Sequence, residues 1–203
     1  MKNLRARFQV PVDMSRPRGG RLIEAYSAKL QRRVRFFDHL SFDQWIRLEA
    51  DPATITFCER PVRLGPERDA RLVDFWVVTR NGEEILLLEP RRAESVPARI
   101  DDMEIRTVVP AELAAASVWI SNWSRMLPIV NATRNVVPRS LLGAVLDHVC
   151  GPVPLGSLEQ ELSVGDPCLI RGAIFEQLRT GRIEAPSLHT ETLSLHTVLE
   201  AAS

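Results

Sequence analysis

The sequence predicts a mixed α/β protein, with a central sheet flanked by helices and a smaller helical domain after it. Three observations carry this. Ile85-Leu86-Leu87-Leu88 is a short run with no polar face, the pattern of a strand covered on both sides. Asn81-Gly82 lies between two apolar runs, a strong hairpin signal. Late in the chain, short helical segments are separated by the breaks Gly151-Pro152-Val153-Pro154 and Asp166-Pro167.

Each element follows from local pattern. Residues 1–20 read as an irregular arm, because Pro11, Pro17 and Gly19-Gly20 interrupt any period. Residues 21–35 suggest short strands. Residues 40–49 read as a helix with Leu40, Trp45, Ile46 and Leu48 on an approximate face, stopped by Asp51-Pro52. Residues 54–62 alternate and are β-branched, so they read as a strand, followed by a hairpin of 72–79 and 85–89 and a strand at 105–109. Residues 111–127 read as a helix carrying Leu113, Val118, Trp119, Ile120 and Trp123. A boundary near 131–138 divides a domain of residues 21–130 from one of residues 131–203. In the second, helices are expected at 139–150, from Ser157, and at 168–180, with Pro167 in a first turn and Gly181 as a cap. Residues 182–184 read as a short strand. Three short helices followed by a strand resemble a winged helix.

Composition narrows the function classes. The chain has 203 residues, 45% apolar and 26% charged, an ordinary globular balance. It has no run of about 18 apolar residues, so no membrane partner is expected. Residues 1–35 lack a secretory apolar segment, and a cytoplasmic location is expected. Cys58, Cys150 and Cys168 form no paired framework and read as buried thiols in a reducing compartment. The four histidines have no metal-ligand spacing, and neither a phosphate-binding loop nor a G-x-S-x-G turn occurs. The tryptophans read as core packing.

Formal charge is zero but unevenly spread. Residues 1–40 carry ten basic and three acidic side chains. Arg16, Arg18, Arg21, Lys29, Arg32, Arg33 and Arg35 are candidate DNA-phosphate contacts, since such contacts supply non-specific affinity. From residue 131 onward five arginines face eight carboxylates, which favours contact with a basic protein surface over DNA.

Four motifs stand in order: Leu48-Glu49-Ala50-Asp51-Pro52, Phe57-Cys58-Glu59-Arg60-Pro61-Val62, Val73-Asp74-Phe75 and Leu86-Leu87-Leu88-Glu89-Pro90. Their order and spacing resemble the TnsA family, the endonuclease subunit of heteromeric transposases, whose pattern is similar to LE-x-DP, x-x-EQP, (T/P)DF and (E/Q)VKP. The resemblance covers residues 20–130. It implies a restriction-endonuclease-like core of the PD-(D/E)xK type and Mg²⁺ or Mn²⁺ when the centre works. The partners it implies are transposon-end DNA, a DDE transposase that joins the 3′ ends and an AAA+ ATPase regulator.

The resemblance also supplies a residue-by-residue test. Such a centre holds its cation with carboxylates and orients water with a lysine. Asp74 matches the strand aspartate. The helix glutamate falls on Ser41, whose hydroxyl does not replace a charged ligand. Asp43, two residues further, lies about 200° round the helix, and Asp38 is displaced the other way. The last motif aligns in two ways. Anchored on Pro90, Leu87 replaces the acid and Glu89 the lysine; anchored on the acid, Glu89 is kept and Arg91 stands for the lysine. The two differ by two residues and preserve strand face. Arginine stays charged and its planar fork differs from an ammonium, so it is a poor substitute. The expectation is a remnant centre at Asp74 and Glu89, with cleavage weak or absent, no bound cofactor unless the centre works, and an architectural role. The alternatives are an active Mg²⁺-dependent endonuclease cutting transposon 5′ ends and a winged-helix DNA-binding regulator.

Overall fold

The computed structural model describes residues 8–67, 70–88, 99–100, 103–162 and 166–202. The chain is a mixed α/β protein divided into two compact units, 1–49 with 53–114, and 50–52 with 115–203.

The first unit opens with an antiparallel hairpin, β1 (Ile23–Ser27) and β2 (Arg32–Phe36), followed by helix α1 (His39–Ala50). Its centre is a five-stranded mixed sheet of β3 (Thr54–Glu59), β4 (Phe75–Thr79), β5 (Gly82–Leu88), β6 (Arg99–Ile100) and β7 (Met103–Val108). The order is β3-β4-β5-β7-β6, with β5 and β7 parallel and the other pairs antiparallel. The short helix α2 (Pro110–Ala115) follows. β5 lies at the middle, and Ile85, Leu86, Leu87 and Leu88 are all buried, as the missing polar face requires. The hairpin turn sits at Arg80-Asn81, one residue before the expected pair, because Thr79 already faces Gly82 across the ladder.

Alternation along the strands makes two apolar faces. One gathers Cys58, Trp76, Ile85 and Leu87 under Phe8. On the other, Phe75 packs against Phe57 and Phe36, and Phe36 against Trp45 of α1. Residues 8–20 hold no helix or strand, as expected of an irregular arm, but Phe8 anchors them. It is buried and stacks on Trp76 at 5.8 Å, and Val12 N–H donates to Arg60 O at 2.8 Å.

The second unit contains α3 (Ser117–Thr133), α4 (Arg139–His148), β8 (Val153–Pro154), α5 (Leu155–Glu161), α6 (Pro167–Arg179), β9 (Ile183–Glu184), a 3-10 turn (Pro186–His189) and β10 (Val198–Ala201). The three short strands pair in the order β8-β10-β9. Asp166 caps α6 by accepting from Cys168 N–H, and Gly181 ends it at φ +67°. The units divide at 114/115 rather than at 130/131. Pro128 does not stop α3, which runs to Thr133 and buries Trp123, Met126, Leu127 and Val130 within the second unit. Gly172 of α6 lies so close to Thr133 that an added Cβ would fall within 2.1 Å of its hydroxyl oxygen. Small residues let helices approach in this way. The expected helix of 111–127 is therefore two helices, broken at Ala116.

The thiols also differ from expectation. Cys58 is buried, but Cys150 and Cys168 are exposed, because each sits at a helix end rather than on a packed face.

Candidate functional site

The motif acids Glu49 and Glu59 hold the frame of the first unit. Glu49, at the end of α1, is buried and accepts from Ser27 Oγ at 2.5 Å and Lys29 N–H at 3.1 Å. Glu59, at the end of β3, is buried and takes both guanidinium nitrogens of Arg32 at 2.6 Å. These two carboxylates fasten the β1–β2 hairpin to α1 and β3 with charge-assisted bonds.

Behind this frame lies a recess of about 480 Å³, entirely within the first unit. Ser41 and Asp38 reach it from the start of α1, Asp74 from the residue before β4, and Glu59 and Arg60 from the end of β3. Asp43 is not among its lining residues. One rim is the turn Pro17–Gly20, closed by Gly20 N–H donating to Pro17 O at 2.9 Å. Gly19 takes φ +80°, which suits glycine at the third position of a type II turn.

Asp74 is tied to the frame. Its Oδ2 accepts from Leu88 N–H at 2.8 Å and lies 3.8 Å from Arg71 Nη2, which itself donates to Leu88 O at 2.6 Å. Burial pushes its carboxyl up to about 6, against the pull of the Leu88 amide and the Arg71 charge. Asp38 caps α1, one oxygen accepting from Ser41 N–H and the other from Ser41 Oγ, each at 2.8 Å.

Arg60 was not singled out from the sequence. Its only signal is that arginine stands where the family pattern has glutamine. It adopts φ +48°, an uncommon conformation for a residue with a side chain. Its N–H donates to Asp74 O at 2.9 Å and its Nη1 to Arg35 O at 2.7 Å. The guanidinium sits 5.8 Å from the Phe37 ring centroid, and burial lowers its pKa. Its Nε is buried without a hydrogen-bond acceptor.

Nothing among known families or curated proteins matches this chain.

The candidate residues are distributed unevenly. Ser41 and Asp74 share the recess, whereas Glu89 and Arg91 lie outside the described residues. Of the basic candidates, Lys29 donates from Nζ to Leu48 O and Thr54 O at 2.8 Å each, and Arg32 is bound to Glu59. Arg35 pairs with Glu24 at 2.8 Å near the surface, and Arg16 donates to Gly20 O at 2.7 Å. Arg16, Arg18, Arg21 and Arg33 are exposed.

Glu89, the second acid of the expected Mg²⁺ or Mn²⁺ centre, lies outside the described residues, so those described hold only part of the expected donor set. Both oxygens of Asp38 and one of Asp74 are engaged by protein donors, and Glu59 is engaged by Arg32. Among the described residues no group of three or more His, Cys, Asp and Glu side chains is arranged to hold an ion. Hard divalent cations want several open oxygen ligands.

Proposed function

We propose that this chain is a TnsA-like subunit of a DNA transposition complex whose nuclease centre has lost cleavage and whose role is architectural. One observation carries the reading. Ser41 and Asp74, distant in sequence and paired only by motif spacing, line the same recess. The position that the resemblance gives to the helix carboxylate carries a hydroxyl, and it lines the recess together with Asp74. The helix–strand–strand–strand order of α1, β3, β4 and β5, with β7 parallel to β5, supports a restriction-endonuclease-like core. In the second unit, the order α4-β8-α5-α6-β9-β10 with a three-stranded sheet supports a winged-helix-like domain.

The partners are transposon-end DNA, a DDE transposase and an AAA+ regulator. A complex that joins 3′ ends without cutting 5′ strands yields cointegrates unless another nuclease acts. The test is to incubate purified full-length chain and its transposase with transposon-end DNA in Mg²⁺ or Mn²⁺. The expected result is 3′-end joining with no 5′-strand cut. A 5′ cut abolished by Asp74→Ala replaces this reading with an active endonuclease.

A further inference from the structure

We propose that Arg60 makes the recess a metal-independent phosphate site, where a guanidinium holds a DNA phosphodiester. The proposal rests on the assignment of the chain to DNA transposition, and it names what the remnant centre still binds.

The backbone at Arg60 is the first support. Among the described non-glycine residues only Gln31 and Arg60 have positive φ, and Gln31 lies in the β1–β2 turn. Arg60 instead directly follows β3 at the wall of the recess, and strain held by surrounding structure clusters at functional positions. The guanidinium is the second. It is mostly buried, yet it donates one 2.7 Å bond, stands 3.9 Å from Glu59, and has an Nε with no acceptor. Glu59 is already held twice at 2.6 Å by Arg32, so it balances Arg60 only weakly. A desolvated cation so poorly matched favours an anion in the recess that the residue lines.

The third support is position. A second recess, of about 280 Å³, adjoins the first through Met14, Phe37 and Arg60. Arg16 and Arg35 line it, as Arg18 lines the first. Four arginines thus line two neighbouring hollows, with Arg16 also donating to Gly20 O and Arg35 paired to Glu24. Such a row suits a ligand with repeating anionic groups rather than a single small anion. Asp13, Asp38, Glu59 and Asp74 line the same hollows, Glu59 being bound to Arg32, so neutralising one of the aspartates has a predictable sign.

The experiment uses the full chain and a fluorescent duplex of about 30 base pairs of random sequence, read by anisotropy in EDTA and in Mg²⁺ across a salt series. Binding should persist in EDTA. Arg60→Met should weaken it about 10-fold and shallow the slope of log affinity against log salt by about one, with Arg60→Lys between. Asp74→Asn keeps an acceptor for Leu88 N–H, and it should tighten binding by removing a charge. Thermal melting confirms that each variant folds, and Asp74→Asn still reports if the Arg60 variants do not.

Unchanged affinity in folded Arg60→Met, or in Asp74→Asn, overturns the phosphate site. Asp74→Asn that weakens binding only in Mg²⁺ overturns it in favour of a metal centre. If Arg60→Met is silent while Arg16→Gln with Arg18→Gln weakens binding, the phosphate site fails and the transposition reading stands. No DNA binding under any condition overturns both.

Discussion

Asp74 is a carboxylate that folding penalises for being charged. Its pKa is raised from 3.8 to about 6 by burial, with Asp38 adding to the rise and the Leu88 amide, Arg71 and Arg60 opposing it. A raised folded-state pKa contributes stability that is complete below the unfolded value and lost as pH rises through about 6. Asp74→Asn does not titrate and still offers Leu88 an acceptor. Relative to wild type, it should gain about 2–3 kcal/mol between pH 3.5 and pH 7.5, measured by urea unfolding at both. The thiols give a second residue-scale expectation. Burial, then the neighbouring Glu59 charge, pushes Cys58 up to about 12, while Cys150 and Cys168 are exposed. A chromogenic disulfide should label two thiols rapidly in native protein and the third only on unfolding. At this scale motif spacing led to two residues, Ser41 and Asp74, that line one recess. Asp74 and Ser41 were legible because spacing along a helix and a strand is regular. Arg60 was not, because nothing in local pattern assigns a positive φ to arginine. Local pattern did not show that the Lys29 ammonium would be taken by the carbonyls of Leu48 and Thr54, or Arg32 by the buried acid Glu59, because all three partners are distant in sequence.

Elements with a strong period were the most legible. Helix α1, the β4–β5 pair and α6 lie close to where apolar spacing, a glycine turn and a proline-led first turn put them. The sequence reading ended the helix at residue 127, whereas α3 runs to Thr133. The structure keeps the helix going with Pro128 on its exposed side, where packing of the opposite face outweighs one lost backbone bond. Where α3 meets α6, space is the constraint. A Cβ on Gly172 would lie 2.1 Å from Thr133 Oγ1 and 2.7 Å from its Cβ. Gly172→Ala should therefore cost about 1–3 kcal/mol by forcing the helices apart. Thr133→Ala should relieve only part of this, because the closer of its two carbon contacts remains. Chemical denaturation of the single and double variants measures both. Asn122, also on α3, fixes the loop after the 3-10 turn: its amide donates to Leu188 O and Glu191 O, and its oxygen accepts from Leu193 N–H. Loops held by a buried side chain rather than by their own sequence leave little local trace.

The whole chain divides according to burial rather than according to its proline-rich breaks. Since α3 belongs to the second unit, a fragment of residues 115–203 should fold cooperatively. One of residues 131–203 should not, because it exposes the partners of Trp123, Met126, Leu127 and Val130. Circular dichroism melts of the two fragments distinguish them. The first unit shows the same rule at its other end. Deleting residues 1–20 removes Phe8 from the core as well as basic side chains, so charge substitutions at Arg16 and Arg18 isolate the electrostatic effect that truncation confuses.

The parallel pairing of β5 with β7 has a consequence during synthesis. Until residues 103–108 emerge from the ribosome, the apolar edge of Ile85-Leu86-Leu87-Leu88 has no strand to close it on that side. This edge is uncharged, rich in aliphatic side chains and free of proline, the composition that favours intermolecular strand addition. A nascent chain stalled or clipped just after β5 would carry a sticky seam that the completed chain never exposes.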